Sequence, residues 1–239
     1  MKHINSVAMD KSASSRSLAA PSSVFLVDDD ASVRRALARL IKSAGHSVQT
    51  FASAREFLDS QAGGDEAACL VLDVRMPGVT GMDLQRELQT LNRDVPIVFI
   101  TGHGDIPMSV KAMKAGAVDF LPKPVKDTDL LRAIEQALAR AWRDRAARKE
   151  LADIESRVEK LTAREREVMA LVARGMPNKR IAFELGTVEK TIKVHRARIM
   201  QKMQVQSLAD LVRATEKLSW LPKPRATEPA SAPGMRDRL

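Results

Sequence analysis

Acid, hydroxyl and ammonium groups follow directly on four separate apolar runs of this chain. Asp28, Asp29 and Asp30 follow Val24-Phe-Leu-Val27, and Asp73 follows Cys69-Leu-Val-Leu72. Thr101 follows Ile97-Val-Phe-Ile100, and Lys123 comes just past Val118-Asp-Phe-Leu121. Carboxylates gathered in one cleft repel each other unless a divalent cation sits between them. Oxygen-only ligands and an incomplete protein shell favour magnesium, which keeps some waters and shares phosphate oxygens. An aspartate neutralised in this way, near a lysine and a hydroxyl, is equipped to accept a phosphoryl group. Asp73 would supply the attacking oxygen, and Lys123 and the metal would stabilise charge on the equatorial oxygens. Taken singly, each residue has a plainer reading, because Asp and Thr at strand ends commonly cap the next helix. Asp30, directly before Ala31-Ser-Val-Arg34, is placed for that role. Polar groups at four strand ends together are hard to obtain by capping alone.

These groups converge only if the runs before them are parallel strands. Residues 23–140 alternate short apolar runs with amphipathic stretches. The strands are Val24–Val27, Ser47–Phe51, Cys69–Leu72, Ile97–Ile100 and Val118–Leu121. The helices between and after them cover a stretch containing Val33, Leu37, Leu40 and Ile41, then Ala54–Ser60, Met82–Thr90, Pro107–Ala115 and Thr128–Arg140. Five βα units of this kind predict an α/β doubly wound domain, a parallel sheet with helices on both faces. Ligands of such sheets bind outside the carboxyl ends of the strands, where the polar groups fall.

Val27-Asp-Asp-Asp30, Leu72-Asp-Val-Arg-Met-Pro-Gly78, Ile100-Thr-Gly-His-Gly-Asp105 and Ala115-Gly-Ala-Val-Asp-Phe-Leu-Pro-Lys-Pro124 resemble the receiver domain of two-component response regulators, in particular the FixJ-like group. The resemblance implies that Asp73 is the phosphoacceptor and that Asp28, Asp29, Asp73 and the Arg75 backbone carbonyl hold Mg2+. It implies that Thr101 hydrogen-bonds the phosphoryl group and that Lys123 pairs with it. Phe120 falls at the family's aromatic switch position, to turn inward as Thr101 moves; an ordinary core residue is the other reading. The Lys123–Pro124 bond is usually cis in this family.

A second motif begins at Leu161-Thr-Ala-Arg-Glu165, a capping box with Thr162 at the cap and Glu165 three residues on. Val168, Leu171 and Val172 share a face of the helix that follows, and Gly175 ends it. Pro177 suits the first turn of the next helix, which carries Ile181, Ala182 and Leu185. Gly186 makes the tight turn before a third helix, roughly Glu189–Lys202, so the region 161–218 reads as a small all-α helix-turn-helix domain. On the third helix Ile192, Ile199 and Met203 point inward, and Lys190, Lys193, Val194, Ala197 and Gln201 share another face. That face combines two cations, small apolar groups fit for thymine methyls and an amide able to read adenine, with Arg196 and Arg198 beside it to reach phosphates. Leu161–Val168, Asn178-Lys-Arg-Ile-Ala182 and Thr191-Ile-Lys-Val-His195 closely resemble the LuxR-type DNA-binding domain of the NarL/FixJ family. The DNA contacts expected on this footing are Lys179, Lys190, Thr191, Lys193, Val194, Ala197, Arg198 and Gln201. One residue departs from the pattern: Val188 stands where the family usually has Ser or Thr, and the hydroxyl is displaced to Thr187.

Charge follows the same division. Residues 23–140 hold 16 acidic and 14 basic residues, and residues 141–239 hold 13 acidic and 22 basic. The positive excess therefore lies in the half expected to meet a polyanion. Residues 141–160 are charged, with no Gly or Pro, and read as a helical linker. Leu151, Ile154, Val158 and Leu161 form one apolar stripe there, which suits either packing on the protein's own domains or a short dimer coil. Residues 1–22 and 219–239 read as disordered tails. The single cysteine, Cys69, excludes a disulfide framework or a zinc cluster and fits a reducing cytoplasm. No apolar run approaches the ~18–20 residues needed to cross a bilayer.

The reading that absorbs all of this is a phosphorylation-activated DNA-binding transcription regulator, not an enzyme. Its expected partners are a sensor histidine kinase, promoter DNA, RNA polymerase and a second copy of itself once phosphorylated. An autoinducer-binding regulator would need an aromatic pocket, yet the chain has no Tyr and its N-terminal half has no Trp. A phosphohydrolase would leave the DNA-binding half unexplained. A pseudo-receiver acting without phosphorylation is the alternative, and the intact acidic pocket argues against it.

Overall fold

The computed structural model describes residues 22–60, 62, 67–102 and 106–218. Both expected tails, apart from Ser22, and residues 103–105 of the Ile100–Asp105 motif lie outside them. The chain divides between Arg145 and Ala146 into two compact units.

The first unit runs β1 (Ser23–Val27), α1 (Ala31–Ser43), β2 (Ser47–Phe51), α2 (Ala54–Asp59), β3 (Ala68–Asp73), α3 (Gly81–Thr90), β4 (Ile97–Thr101), α4 (Ile106–Lys114), β5 (Asp119–Pro122) and the start of α5 (Asp127–Glu159). The five strands form one parallel sheet in the order β2-β1-β3-β4-β5. Burial follows from this order. Central β3 is buried at every residue, whereas edge strand β2 exposes most of its own.

Strand side chains alternate between faces, and the two apolar cores divide accordingly. Phe25, Val27, Leu70, Leu72 and Phe99 pack with Phe57 of α2, Leu84 and Leu88 of α3 and Ala112 of α4. Val24, Leu26, Val71, Val98 and Ile100 pack with Ile41 of α1 and with Leu130, Ile134 and Leu138 of α5. Helices cover both faces of the sheet, and the strand order reverses between β1 and β3. That is where a ligand crevice forms in such sheets.

The second unit contains the last turns of α5, then α6 (Ala163–Ala173), α7 (Asn178–Glu184), α8 (Glu189–Met203) and α9 (Leu208–Glu216). Val168, Met169 and Val172 of α6, Ile181 and Ala182 of α7, Ile192, Ile199 and Met203 of α8 and Leu211 of α9 make one core. The apolar stripe before α6 joins it: Ile154, Val158 and Leu161 are buried in this core, and Leu151 packs against it. The stripe is thereby used within the unit rather than displayed for a coil. Gly186 closes α7 at φ 59°, a left-handed conformation that glycine adopts without steric cost.

The structure differs from the sequence reading in three places here. Pro177 takes the cap position of α7 rather than its first turn, and makes no side-chain capping bond. The helix expected to end at Arg140 continues to Glu159. Helix α9 was not anticipated, although Ser207-Leu-Ala-Asp210 is a capping box with both reciprocal bonds formed.

Candidate functional site

Parallel register brings the ends of β1, β3, β4 and β5 together. Asp28 lies one residue past β1, and Asp73 is the last residue of β3; both are buried, as is Thr101 at the end of β4. Asp29 is exposed beside them. One carboxylate oxygen each from Asp28, Asp29 and Asp73 lies within 4.8 Å of the others. Lys123 reaches in from the end of β5, its Nζ donating to Asp28 Oδ2 at 2.8 Å and to Asp73 Oδ2 at 3.0 Å. Its backbone N–H donates to the Thr101 carbonyl at 2.7 Å, and the Lys123–Pro124 bond is cis.

The acids are not equivalent. Asp30 serves as the cap of α1, its Oδ1 accepting from the Ser32 and Val33 amides at 2.7 and 3.1 Å. This leaves Asp28, Asp29 and Asp73 as the cluster. Burial pushes the Asp28 carboxyl above the usual carboxylate range, although Lys123 and the Asp30 amide pull it down. Lys123 is held above its ordinary value: burial alone would lower it, and its two carboxylate partners more than offset that. The site is thus a dense acidic cluster bridged by one ammonium. Its donor set is all oxygen and partly exposed, which suits a hard divalent cation such as magnesium.

The Arg75 side chain is exposed, while its N–H donates to Asp73 Oδ1 at 3.3 Å. Phe120 is half-buried, its ring centroid 6.1 Å from that of Phe99 and packed on the core. Gly81 was not singled out by sequence. It opens α3 directly against β3, and a Cβ there would lie 2.4 Å from the Asp73 carbonyl oxygen. Nothing in the local sequence marks this contact, since the glycine occupies ordinary helical backbone.

In the second unit, Lys190, Lys193, Val194, Ala197, Arg198 and Gln201 are exposed on α8. Thr191 is half-buried, Lys179 of α7 is exposed, and Ile192, Ile199 and Met203 are buried. Lys193 pairs with Glu189 at 3.4 Å. Arg196, beside that face, is half-buried; it donates to Asn178 Oδ1 at 2.8 Å and so braces α7 against α8. Val188 is the cap residue of α8, with no side-chain capping bond and 65% of its surface exposed. At the other end of α8, Lys202 pairs with buried Glu165 at 2.6 Å. The same carboxylate accepts from the Thr162 amide at 2.9 Å, completing the α6 capping box.

Residues 24–135 match the response regulator receiver domain family, and residues 159–215 match the luxR family of bacterial regulatory proteins. Nodulation protein W of Bradyrhizobium diazoefficiens is 52% identical over 195 residues, covering 82% of this chain and 86% of that protein. The chain belongs to the NarL/FixJ family of two-component response regulators. The transcriptional regulatory protein FixJ of Rhizobium meliloti is 44% identical to this response regulator over 190 residues, 80% of this chain and 93% of that one. Among solved structures, the response regulator StyR aligns with a TM-score of 0.74 at 52% identity, covering 83% of this chain and all of that one. The protein is therefore a DNA-binding transcription regulator of a two-component system. Among its described residues, no helix is long and apolar enough to cross a membrane.

Proposed function

We propose that Asp73 takes a phosphoryl group from the phosphohistidine of a sensor kinase, and that phosphorylation drives dimerisation and promoter binding in the cytoplasm. The observation that carries this reading is Lys123 bridging Asp28 and Asp73 where the strand order reverses. An Asp73 carboxylate oxygen attacks phosphorus in line, a P–O bond forms, and the P–N bond to the kinase histidine breaks. The imidazole leaves and takes up a proton. Lys123 keeps one acid partner while turning its ammonium towards the incoming phosphoryl oxygens, so its charge is never left unpaired. Thr101 supplies a hydroxyl to the same group, and Phe120 follows Thr101 inward. Asp28, Asp29, Asp73 and the Arg75 carbonyl are the groups that would hold Mg2+, which when bound neutralises the acids and the transferring phosphoryl group.

The output surface on this reading is α4 with β5. Val110 and Met113 are each close to half exposed there, and they are the apolar contacts proposed for a second copy. The dimer then presents two α8 helices to promoter DNA, and activation requires contact with RNA polymerase. Acetyl phosphate with magnesium should label the protein at Asp73 and shift it from monomer to dimer in sedimentation. Asp73→Asn should show neither effect, because an amide cannot attack phosphorus. Undiminished labelling of that variant would remove Asp73 as the acceptor. Labelling without a change in sedimentation would remove the dimer switch and leave the chemistry.

A further inference from the structure

Helix α1 carries Arg34, Arg35, Arg39 and Lys42, and none of its thirteen residues is acidic. Residues at i, i+4 and i+7 share a helix face, so Arg35, Arg39 and Lys42 project together. At ~1.5 Å per residue they spread over ~10 Å of the axis. All three are exposed, and no carboxylate among the described residues pairs with them. Like charges at this spacing destabilise a helix. They do not simply share in a general positive surface, because residues 23–140 hold more acids than bases. With Ser32, Arg34, Ala38 and Thr50 of the edge strand β2, they line a groove of about 460 Å³.

We propose that this groove binds a small ligand carrying two or more linked phosphates, held by Arg35, Arg39 and Lys42 with the Ser32 and Thr50 hydroxyls. Guanidinium forks match phosphate oxygens two at a time, and hydroxyls donate to those left over. The volume falls in the ~300–1,000 Å³ range of small-molecule sites. Ala38 is the only apolar residue of the lining. The groove therefore offers neither the apolar anchors on which protein docking depends nor an aromatic ring on which a base could stack. The phosphates are recognised, and the organic remainder is not. Arg34 turns the other way, its guanidinium donating to the Asp28 carbonyl, and so connects the groove wall to the acidic pocket. None of the groove residues belongs to that pocket, so the inference stands or falls apart from the phosphoacceptor reading.

The test is residue-resolved NMR on the full-length protein without magnesium, titrated separately with tripolyphosphate, a nucleoside triphosphate, orthophosphate and oligoglutamate. Residue resolution matters because the basic α8 face will respond to any polyanion. Tripolyphosphate should shift amides 32–42 and 50 saturably, the nucleoside triphosphate should match it, and orthophosphate should bind about tenfold more weakly or worse, one charge-assisted contact being worth that much. Arg39→Ala with Lys42→Ala should weaken the α1 response by about tenfold or more and leave the response of residues 190–201 unchanged. Both positions are exposed and alanine is the better helix former, so thermal stability should hold or rise. If it falls, Arg39→Gln with Lys42→Gln serves for the same measurement. A response confined to α8, or an α1 response that survives the double substitution, overturns the proposal. Oligoglutamate binding as tightly as tripolyphosphate overturns it in favour of an acidic protein partner, and a large preference for the nucleotide refutes recognition through phosphate alone.

Discussion

Replacing Val188 by Thr should stabilise the DNA-binding unit. Helix α8 starts with Val188 in extended conformation, at φ −102° and ψ 152°, which is the backbone a capping residue needs. Its carbonyl already accepts from the Thr191 and Ile192 amides at 3.0 and 3.3 Å. The side chain supplies no oxygen for the remaining first-turn amides, which a Ser or Thr hydroxyl would satisfy for ~0.5–2 kcal/mol. Against this stands the apolar surface lost. Val188 is 65% exposed, so about a third of a valine's ~1.5–3 kcal/mol of burial is at stake, ~0.5–1 kcal/mol. Serine forfeits all of that, whereas threonine keeps one of the two methyl groups. The net expectation is a gain of up to ~1.5 kcal/mol for Val188→Thr and a smaller one for Val188→Ser. In a unit of this size ~1 kcal/mol raises the melting temperature by ~4–8 °C. Calorimetry of residues 146–218 is the assay, since that segment has a core of its own. If neither variant melts higher than the parent, the missing hydroxyl is not a defect, and the small buried part of Val188 matters more than its area suggests.

Three further outcomes can be checked. Gly81→Ala should slow acetyl-phosphate labelling and cost ~1–3 kcal/mol, because the new methyl overlaps the Asp73 carbonyl and α3 must move off β3; a neutral result by labelling rate and calorimetry would contradict the close packing. Glu165 is held below the usual carboxylate value: burial would raise it, but hydrogen bonds from Lys202 and Thr162 outweigh that. A depressed folded pKa adds stability above the unfolded value of ~4.3, lost as pH falls through the folded one. Melting temperature should therefore decline below about pH 4, and Lys202→Met, by leaving the carboxylate buried without a cation, should move that decline to higher pH; identical pH profiles would sink the pairing. On DNA, Lys193→Ala should weaken binding to all sequences and lower the salt slope by about 1, whereas Val194→Ala should relax preference at one base pair by ~1–3 kcal/mol. A Val194 variant with unaltered sequence preference does not read a base.

Much of the architecture was legible because it rests on local signals. A short apolar run marks a strand, an acid, hydroxyl or ammonium group follows each of the important ones, and Thr162 with Glu165 announces a helix start. Converging strand ends then place Asp28, Asp73, Thr101 and Lys123 without any tertiary information beyond the parallel sheet. Partners far apart in sequence were not legible. The Glu165–Lys202 pair spans 37 residues, and Arg196 reaches Asn178 over 18, so that a cation legible in sequence only as a phosphate contact also holds two helices together. Gly81 could not be recognised because only the neighbouring strand makes its lack of a side chain necessary. Helix α9 is a different kind of miss. Its capping box, Ser207 with Asp210, is a local signal that needs no tertiary information.

The burial of Ile154 and Val158 bears on how such proteins can be recombined. By sequence both belong to the connection between the halves, and the luxR match begins only at residue 159. By packing both belong to the DNA-binding core. A gene fusion joined at 159 would discard two buried aliphatic side chains, at ~1.5–3 kcal/mol each, from a domain whose whole margin is ~5–15 kcal/mol. The viable junction lies at residues 146–150, which are exposed and belong to neither core. Exchange of one input domain for another, by an engineer or by genome rearrangement, should therefore succeed when the break falls near Arg145 and should yield unstable hybrids when it falls about ten to fourteen residues later, roughly three to four helical turns.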